Sequence, residues 1–358
     1  MEKDKVYRAI GLMSGTSLDG EIDVALIETD GCSFVRPLRY MAYPYDLAVR
    51  DKVRGCFGKL ERDPSIDEAE KCVTDLHIAA VRALGEDADI IGFHGQTITH
   101  DPDHQFTWQL GDGQKLAQAT GVSVVSDMRQ NDIKSGGQGA PLLPLYHQAL
   151  FSEHDKPVVI LNLGGVANIT YIGQDGGLVA FDCGPANALM DDFMRARLGV
   201  DFDKNGELAS KGVVQDHLVK TFLQHPYFKK APPKSLDRNA WSVDCVRYAD
   251  DEDGMATLLD MTVSGVAQAM KHLPQRPVHI YAAGGGRRNT FLIDTLAESL
   301  NVPVTSIDDL GWNGDATEAE GFAYLAVRSV LGLPLTLPNT TGAPEALTGG
   351  VLHEAGKK

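Results

Sequence analysis

The chain has 358 residues, 43% of them hydrophobic, enough for two ordinary domains with their own cores. Its 33 Lys and Arg against 49 Asp and Glu leave a net charge of −16, which excludes nucleic acid or an anionic membrane surface as the partner, so any phosphate must be met by backbone N–H groups, Mg²⁺ and a few local cations. No run of roughly 18 apolar residues occurs, and Met1-Glu2-Lys3-Asp4-Lys5 carries no signal core, so no membrane span and a cytoplasmic location are expected.

Val6–Met13 and Ile22–Glu28 read as strands joined by a turn rich in glycine and hydroxyls. Gly11, Gly15 and Gly20 let the backbone approach a ligand, Ser14, Thr16 and Ser17 offer donors, and Asp19 suits the water shell of Mg²⁺. Ser65-Ile66-Asp67-Glu68 fits a capping box, after which Ile66, Ala69, Val73, Leu76, Ala80 and Ala83 hold one helical face. Asp89–Phe93 and Val122–Ser126 are short buried-type strands ending at His94-Gly95-Gln96-Thr97 and Asp127-Met128-Arg129, where open α/β sheets tend to meet ligands. Asn131–Pro144 carries the glycines and prolines of a hinge or crossover.

The second half repeats the layout. Pro157–Leu163 is a hydrophobic run, Gly164-Gly165 turns it, and Val166–Ile172 returns as a strand. Two strand–glycine–strand units imply two related domains facing one another, with a polyphosphate between their turns. Leu178–Phe181 is a strand ending at Asp182-Cys183-Gly184-Pro185, and Ala186, Leu189, Met190, Phe193, Met194 and Leu198 form a helical stripe behind it. In this acidic chain His225–Arg238 gathers Lys229, Lys230, Lys234 and Arg238, as in a mobile loop touching an anion or simply a solvated one. Leu258–Leu273 is a core helix; Val278–Ala283 is a strand entering Gly284-Gly285-Gly286, followed by helices Asn289–Leu300 and Ala316–Leu331, the last with Asp315 as N-cap.

Several motifs fail. The Asp201–Gly206 segment imitates a calcium loop, but its twelfth position is Gly212 rather than Glu. There is no Gly-x4-Gly-Lys-Ser/Thr loop, and the third glycine of a dinucleotide fingerprint would fall at Asn289. The five cysteines lack Cys-x-x-Cys spacing, which argues against a disulfide framework or structural zinc, and His100-x3-His104 has no third ligand nearby.

Taken together, Gly11–Gly20, His94–Thr97, Asn162-Leu-Gly-Gly-Val-Ala-Asn168, Phe181-Asp-Cys-Gly-Pro-Ala-Asn187, Gly284-Gly-Gly-Arg-Arg-Asn289 and Asp315-Ala-Thr-Glu-Ala-Glu-Gly-Phe-Ala323 resemble the anhydro-N-acetylmuramic acid kinases. The resemblance runs from Gly11 to about Ala323. It implies an α/β fold of two actin-like ATPase domains, each a duplicated mixed sheet flanked by helices, with an interdomain active-site cleft. Residues 1–130, joined by the tail 350–358, would form the N-terminal domain and 131–349 the C-terminal one. The cofactors implied are ATP and Mg²⁺, the partner is a small anhydro amino sugar, and a homodimer stays open. Met13, Ser14, Gly15, Thr16, Ser17, Leu18, Asp19, Gly20, Asn162, Gly164 and Gly165 would hold the phosphates, and Gly284, Gly285, Gly286 and Asn289 the adenosine. Lys234-Ser-Leu-Asp-Arg-Asn239 departs from the family's Lys-Ser-Thr-Gly-Arg-Glu, which leaves a shared role for that loop in question.

The activity implied is opening of a 1,6-anhydro bridge by water with phosphorylation of O6 from ATP. Asp182 is the expected base; Gln96, Thr97, Asp127, Arg129 and Glu318 are the expected sugar contacts, with Arg129 on the lactyl carboxylate. Asp182, Glu318 and Asp19 are the carboxylates considered for Mg²⁺; Asp182 could instead cap a helix, and Asp315-x-x-Glu318 also fits a capping box. Two alternatives remain: a same-fold kinase for levoglucosan or a hexose, and a non-catalytic clamp like actin or Hsp70.

Overall fold

In the computed structural model, residues 1–2, 5–15, 18, 20–236 and 240–356 are described. Thr16, Ser17 and Asp19, expected at the phosphates, and Arg238 of the basic loop lie outside them. Twelve strands form among the described residues: β1 (Tyr7–Ser14), β2 (Glu21–Thr29), β3 (Val35–Pro44), β4 (Ile90–Asp101), β5 (Phe106–Leu110), β6 (Val124–Ser126), β7 (Val158–Leu163), β8 (Val166–Ile172), β9 (Leu178–Pro185), β10 (His279–Ala283), β11 (Val304–Ser306) and β12 (Val351–His353).

The chain divides into one unit of Met1–Glu153 with Ala316–Lys358 and another of His154–Asp315. These limits differ from the expected boundary after residue 130, and 316–349 goes with the first unit instead of the second. The cause is glycine. Gly11 and Gly92 are register partners on β1 and β4. A Cβ on Gly11 would lie 1.7 Å from the Ala319 carbonyl oxygen, and one on Gly92 2.0 Å from that of Phe322. Helix Thr317–Val330 therefore rests directly on this sheet, an approach no larger residue permits. Gly11 thus belongs to the packing of the strand and not to the turn after it.

The first unit's sheet runs β12-β6-β4-β1-β2-β3, with β5 paired to β4. From β1 the order is antiparallel to β2 and β3 on one side and parallel to β4 and β6 on the other. The second unit repeats it: β7 is antiparallel to β8, β8 to β9, and β7 and β11 flank β10 in parallel. Each sheet has its own core, around Ile10, Leu12, Val24, Ile91 and Phe93 in one and Leu161, Ile169, Phe181, Leu258 and Ile280 in the other. This is the duplicated mixed sheet expected from the paired strand–glycine–strand segments.

Local expectations shift at the caps. Helix Pro64–Leu84 is capped by Asp63, whose carboxylate accepts from Ser65 and Ile66 N–H, so Ser65 is already inside it, and Ala83 is exposed. Helix Thr317–Val330 has Ala316 at its N-cap with no side-chain bond, because the Asp315 carboxylate is held by Arg287 and Arg288. The predicted Asp315–Glu318 capping box is absent.

Candidate functional site

In the second unit the turn between β7 and β8 is only Gly164-Gly165, and its two carbonyls accept the N–H groups of Asn187 and Ala186. The chain thereby brings the start of helix Asn187–Leu198 against the turn. Next to it β10 ends at Gly284, in the left-handed region at φ 72°, where a Cβ would meet the Asn162 Oδ1 at 2.4 Å. Arg287, 5% exposed, ties this glycine segment down: it donates to the Gly284 carbonyl at 3.0 Å and pairs with Asp308 at 2.8 Å and Asp315 at 3.0 Å. Asn289 caps helix Thr290–Leu300 through a bond from Leu292 N–H at 3.1 Å, so its side-chain oxygen is already engaged. The parallel strands β7 and β10 therefore end side by side in bare backbone, as a phosphate cradle requires.

Asp182 sits inside β9, not beyond a strand end, because β9 continues to Pro185 through its pairing with β8. It caps no helix. Asn162, Asn168 and Asp182 are successive register partners across β7, β8 and β9, so one polar rung leads from the Gly164 turn to the carboxylate. Two strand spacings put the ends of that rung about 10 Å apart. The Asp182 backbone is gripped on both sides: its N–H donates to the Lys234 carbonyl at 3.0 Å and its carbonyl accepts the Tyr227 hydroxyl at 2.7 Å. Its Oδ2 accepts from Leu236 N–H at 2.7 Å. Desolvation outweighs that bond and pushes the carboxyl up to about 7. Lys234, expected in a mobile or solvated loop, is instead 4% exposed, with its ammonium on the Tyr227 carbonyl and over the Tyr227 ring.

In the first unit, Ser14 closes β1 and donates to the Gly95 carbonyl at 3.3 Å, while Gln96, 2% exposed, donates to that of Gly15. Leu18 is buried with φ 51° and Gly20 has φ 99°. His94–Thr97 lie within β4, not past its end, because β5 pairs with Gln96 and Thr97 and prolongs the strand. The Thr97 hydroxyl accepts from Gln109 at 3.2 Å. Arg129 donates to His94 and to the Gly139 carbonyl, and Glu318 and Asp132 favour its charge while burial brings it down to about 10. Asp127 stands apart. Its carboxylate accepts from Ser126, and with Lys134, Ser329 and Gly350 it lines a cleft of about 590 Å³ that includes neither Arg129 nor Gln96.

Asn168, His94 and Arg287 were not singled out from the sequence, although each stands in a quoted motif. The signal for Asn168 was its spacing: Leu163 pairs with Ala167 across residues 164–166, so Asn162 and Asn168, six residues apart, are cross-strand partners. His94 and Arg287 act through contacts distant in sequence, which spacing does not display.

A family model described as anhydro-N-acetylmuramic acid kinase matches residues 7–355. Curated relatives of that name include one from Zymomonas mobilis, 51% identical over 96% of this chain and 99% of its own, and one from Rhizorhabdus wittichii, 48% identical over 96% and 98%. Among solved structures, the activator of 2-hydroxyisocaproyl-CoA dehydratase from Clostridium difficile with bound ADPNP is 13% identical over 91% of this chain and 96% of its own, with a TM-score of 0.47.

Proposed function

The chain belongs to the anhydro-N-acetylmuramic acid kinase family, and from that membership we propose that it opens the 1,6-anhydro bridge of anhydro-N-acetylmuramic acid with water and phosphorylates O6 from ATP. The observation that supports this reading is Asp182: a carboxyl of near-neutral pKa that accepts the Leu236 N–H, on a backbone fixed by the Lys234 carbonyl and the Tyr227 hydroxyl, in register across the sheet with Asn162 just before the β7 glycine turn.

A base is most effective when its pKa lies near the working pH, so a carboxyl at about 7 takes a proton from the attacking water more readily than an ordinary carboxylate. In the proposed step Asp182 accepts that proton while the water oxygen bonds to C1. The C1–O6 bond breaks, and O6 with its electron pair bonds to the γ-phosphorus as the bond to ADP breaks. The departing O6 is captured by phosphorus, so no separate acid is needed. Asn162 and Asn168 supply carboxamides along the rung. Arg129 holds the lactyl carboxylate with its planar fork, and Gln96, Thr97 and Glu318 face sugar hydroxyls or the acetamido group.

Gly164 fits an ATP phosphate, since a Cβ there would have no neighbour closer than 3.7 Å, and Gly284, Gly285 and Gly286 with Asn289 fall to the adenosine. Mg²⁺ binds few carboxylates and keeps its waters. Asp19 and Asp182 suit such a role, whereas the Glu318 charge already favours Arg129. When bound, Mg²⁺ would neutralise phosphate charge.

ADP release measured with anhydro-N-acetylmuramic acid, levoglucosan, N-acetylglucosamine, glucose and no sugar tests the assignment. Turnover should require the first, and in ¹⁸O-water the label should appear on the anomeric oxygen. Equal turnover of a hexose, or label in the transferred phosphate, would overturn it.

A further inference from the structure

The first unit buries an imidazole for which the proposed chemistry has no use. His94, in β4, is 6% exposed, and its ring lies 4.5 Å from that of Phe322 on helix Thr317–Val330. Its Nδ1 is 2.8 Å from the Gly95 carbonyl, while its Nε2 is 3.1 Å from Arg129 Nε and 3.0 Å from Nη2. A guanidinium only donates and a carbonyl only accepts. Nε2 is therefore the accepting nitrogen and Nδ1 carries the proton. Burial and the guanidinium hold the imidazole well below its ordinary pKa, in agreement with that neutral form.

His94 thus occupies the Nε–Nη2 edge of Arg129, and Nη1 reaches the Gly139 carbonyl at 2.7 Å. These bonds use three of the five N–H groups. The other two sit one on each terminal nitrogen, the spacing that grips a carboxylate end-on. We propose that His94 is a positioning residue that locks the Arg129 fork for the substrate's carboxylate and so sets the preference for a carboxylate-bearing sugar. A carboxylate in place of His94 would hold the fork equally well but would add a third negative charge to those of Glu318 and Asp132; a neutral imidazole fixes the geometry and adds none. This rests on the reading of Arg129 as the carboxylate partner.

Asn and Gln separate the two ring nitrogens, since an Asn amide reaches about as far as Nδ1 and a Gln amide about as far as Nε2. The test is the kcat and KM for anhydro-N-acetylmuramic acid of the wild type, His94→Asn, His94→Gln, Arg129→Ala and the His94→Asn/Arg129→Ala double variant, with thermal melts to establish folding. His94→Asn should raise KM about tenfold with kcat within about threefold, His94→Gln should stay within about threefold on both, and the double variant should be no worse than Arg129→Ala alone. If Arg129→Ala raises KM and His94→Asn does not, the proposal falls while the Arg129 reading stands; if Arg129→Ala leaves KM unchanged, both fall. A His94→Gln variant as impaired as His94→Asn, or additive losses in the double variant, would also overturn it. Should His94→Asn fail to fold, His94→Gln decides alone: near-normal KM supports the acceptor role and a tenfold rise removes it.

Discussion

The two sheets share one strand order and differ at the same rung. In the second unit the rung reads Asn162–Asn168–Asp182; in the first the corresponding partners are Met13, Asp23 and Ala42. The first unit also has a carboxylate there, but on the middle strand, where Asp23 accepts the Tyr40 hydroxyl at 2.6 Å. The neighbouring parallel strands diverge in the same way. Gly95 and Gly284 both take the left-handed conformation, at φ 74° and 72°. After Gly95 the strand continues and presents Gln96 and Thr97, whereas after Gly284 it dissolves into backbone. One topology has been filled with side chains in one copy and emptied of them in the other, as recognition of a sugar and of a polyphosphate respectively would require.

The largest test of that asymmetry is Asp182→Asn, which keeps size and removes the carboxylate proposed as base. We expect folding to persist and kcat to fall at least about 10²-fold, the lower end for loss of general-base catalysis, with the KM for ATP little changed. A fall of less than threefold in stopped or coupled assays would remove the difference between the two rungs.

Next in size is the pH dependence. A base must be ionised to act, so if Asp182 is the base proposed, with its carboxyl at about 7, kcat/KM should drop close to tenfold per pH unit below that value and level off above it. The same shift has an opposite sign for stability. The folded value exceeds the ordinary 3.8, so this group's contribution is full below about pH 4 and is lost as the pH rises through 7. Asp182→Asn should therefore melt higher than wild type at pH 8, by on the order of 1 kcal/mol after solvent screening, and gain less at pH 5. An acid limb centred near 4 would show that the fold does not tune this carboxylate.

Glycine substitutions separate packing from ligand approach. Gly284→Ala forces a Cβ into Asn162 at a positive φ, so both stability, by about 2 kcal/mol, and the KM for ATP should suffer. Gly164→Ala meets no atom closer than 3.7 Å, so its melting temperature should hold while the KM for ATP rises roughly tenfold, or about 1.4 kcal/mol of binding. An unchanged KM in Gly164→Ala would mean that the turn does not meet phosphate.

Local pattern carried the paired strand–glycine–strand segments and the helical stripe of Leu189, Met190, Phe193 and Met194, because strand period and turn chemistry are written in neighbouring residues. What it could not carry were contacts between distant residues. Gly11 looked like a ligand turn because nothing near it announces Ala319 above it. Asp315 looked like a helix cap because its partners, Arg287 and Arg288, lie 28 and 27 residues away. Lys234 looked solvated because nothing beside it announces β9, where its carbonyl accepts the Asp182 N–H and its ammonium lies 5.6 Å from the Phe181 ring centre.

The smallest expected effect is the sharpest control. Asp23→Asn sits on the counterpart rung, keeps the side-chain volume, and retains an oxygen that can accept from Tyr40. If the rungs have diverged as described, the change removes a charge that is bound to a hydroxyl and takes no proton from a reactant, so kcat should stay within about twofold and stability within about 1 kcal/mol, the scale of weakening one hydrogen bond. The hydrogen bond should persist, so Tyr40→Phe, which abolishes it, should cost more than Asp23→Asn, and the double variant should be less than additive. Were Asp23→Asn to lower kcat by more than tenfold without a loss of stability, the first unit's rung would also carry chemistry. The division of labour between the two sheets would then have to be redrawn around two carboxylates.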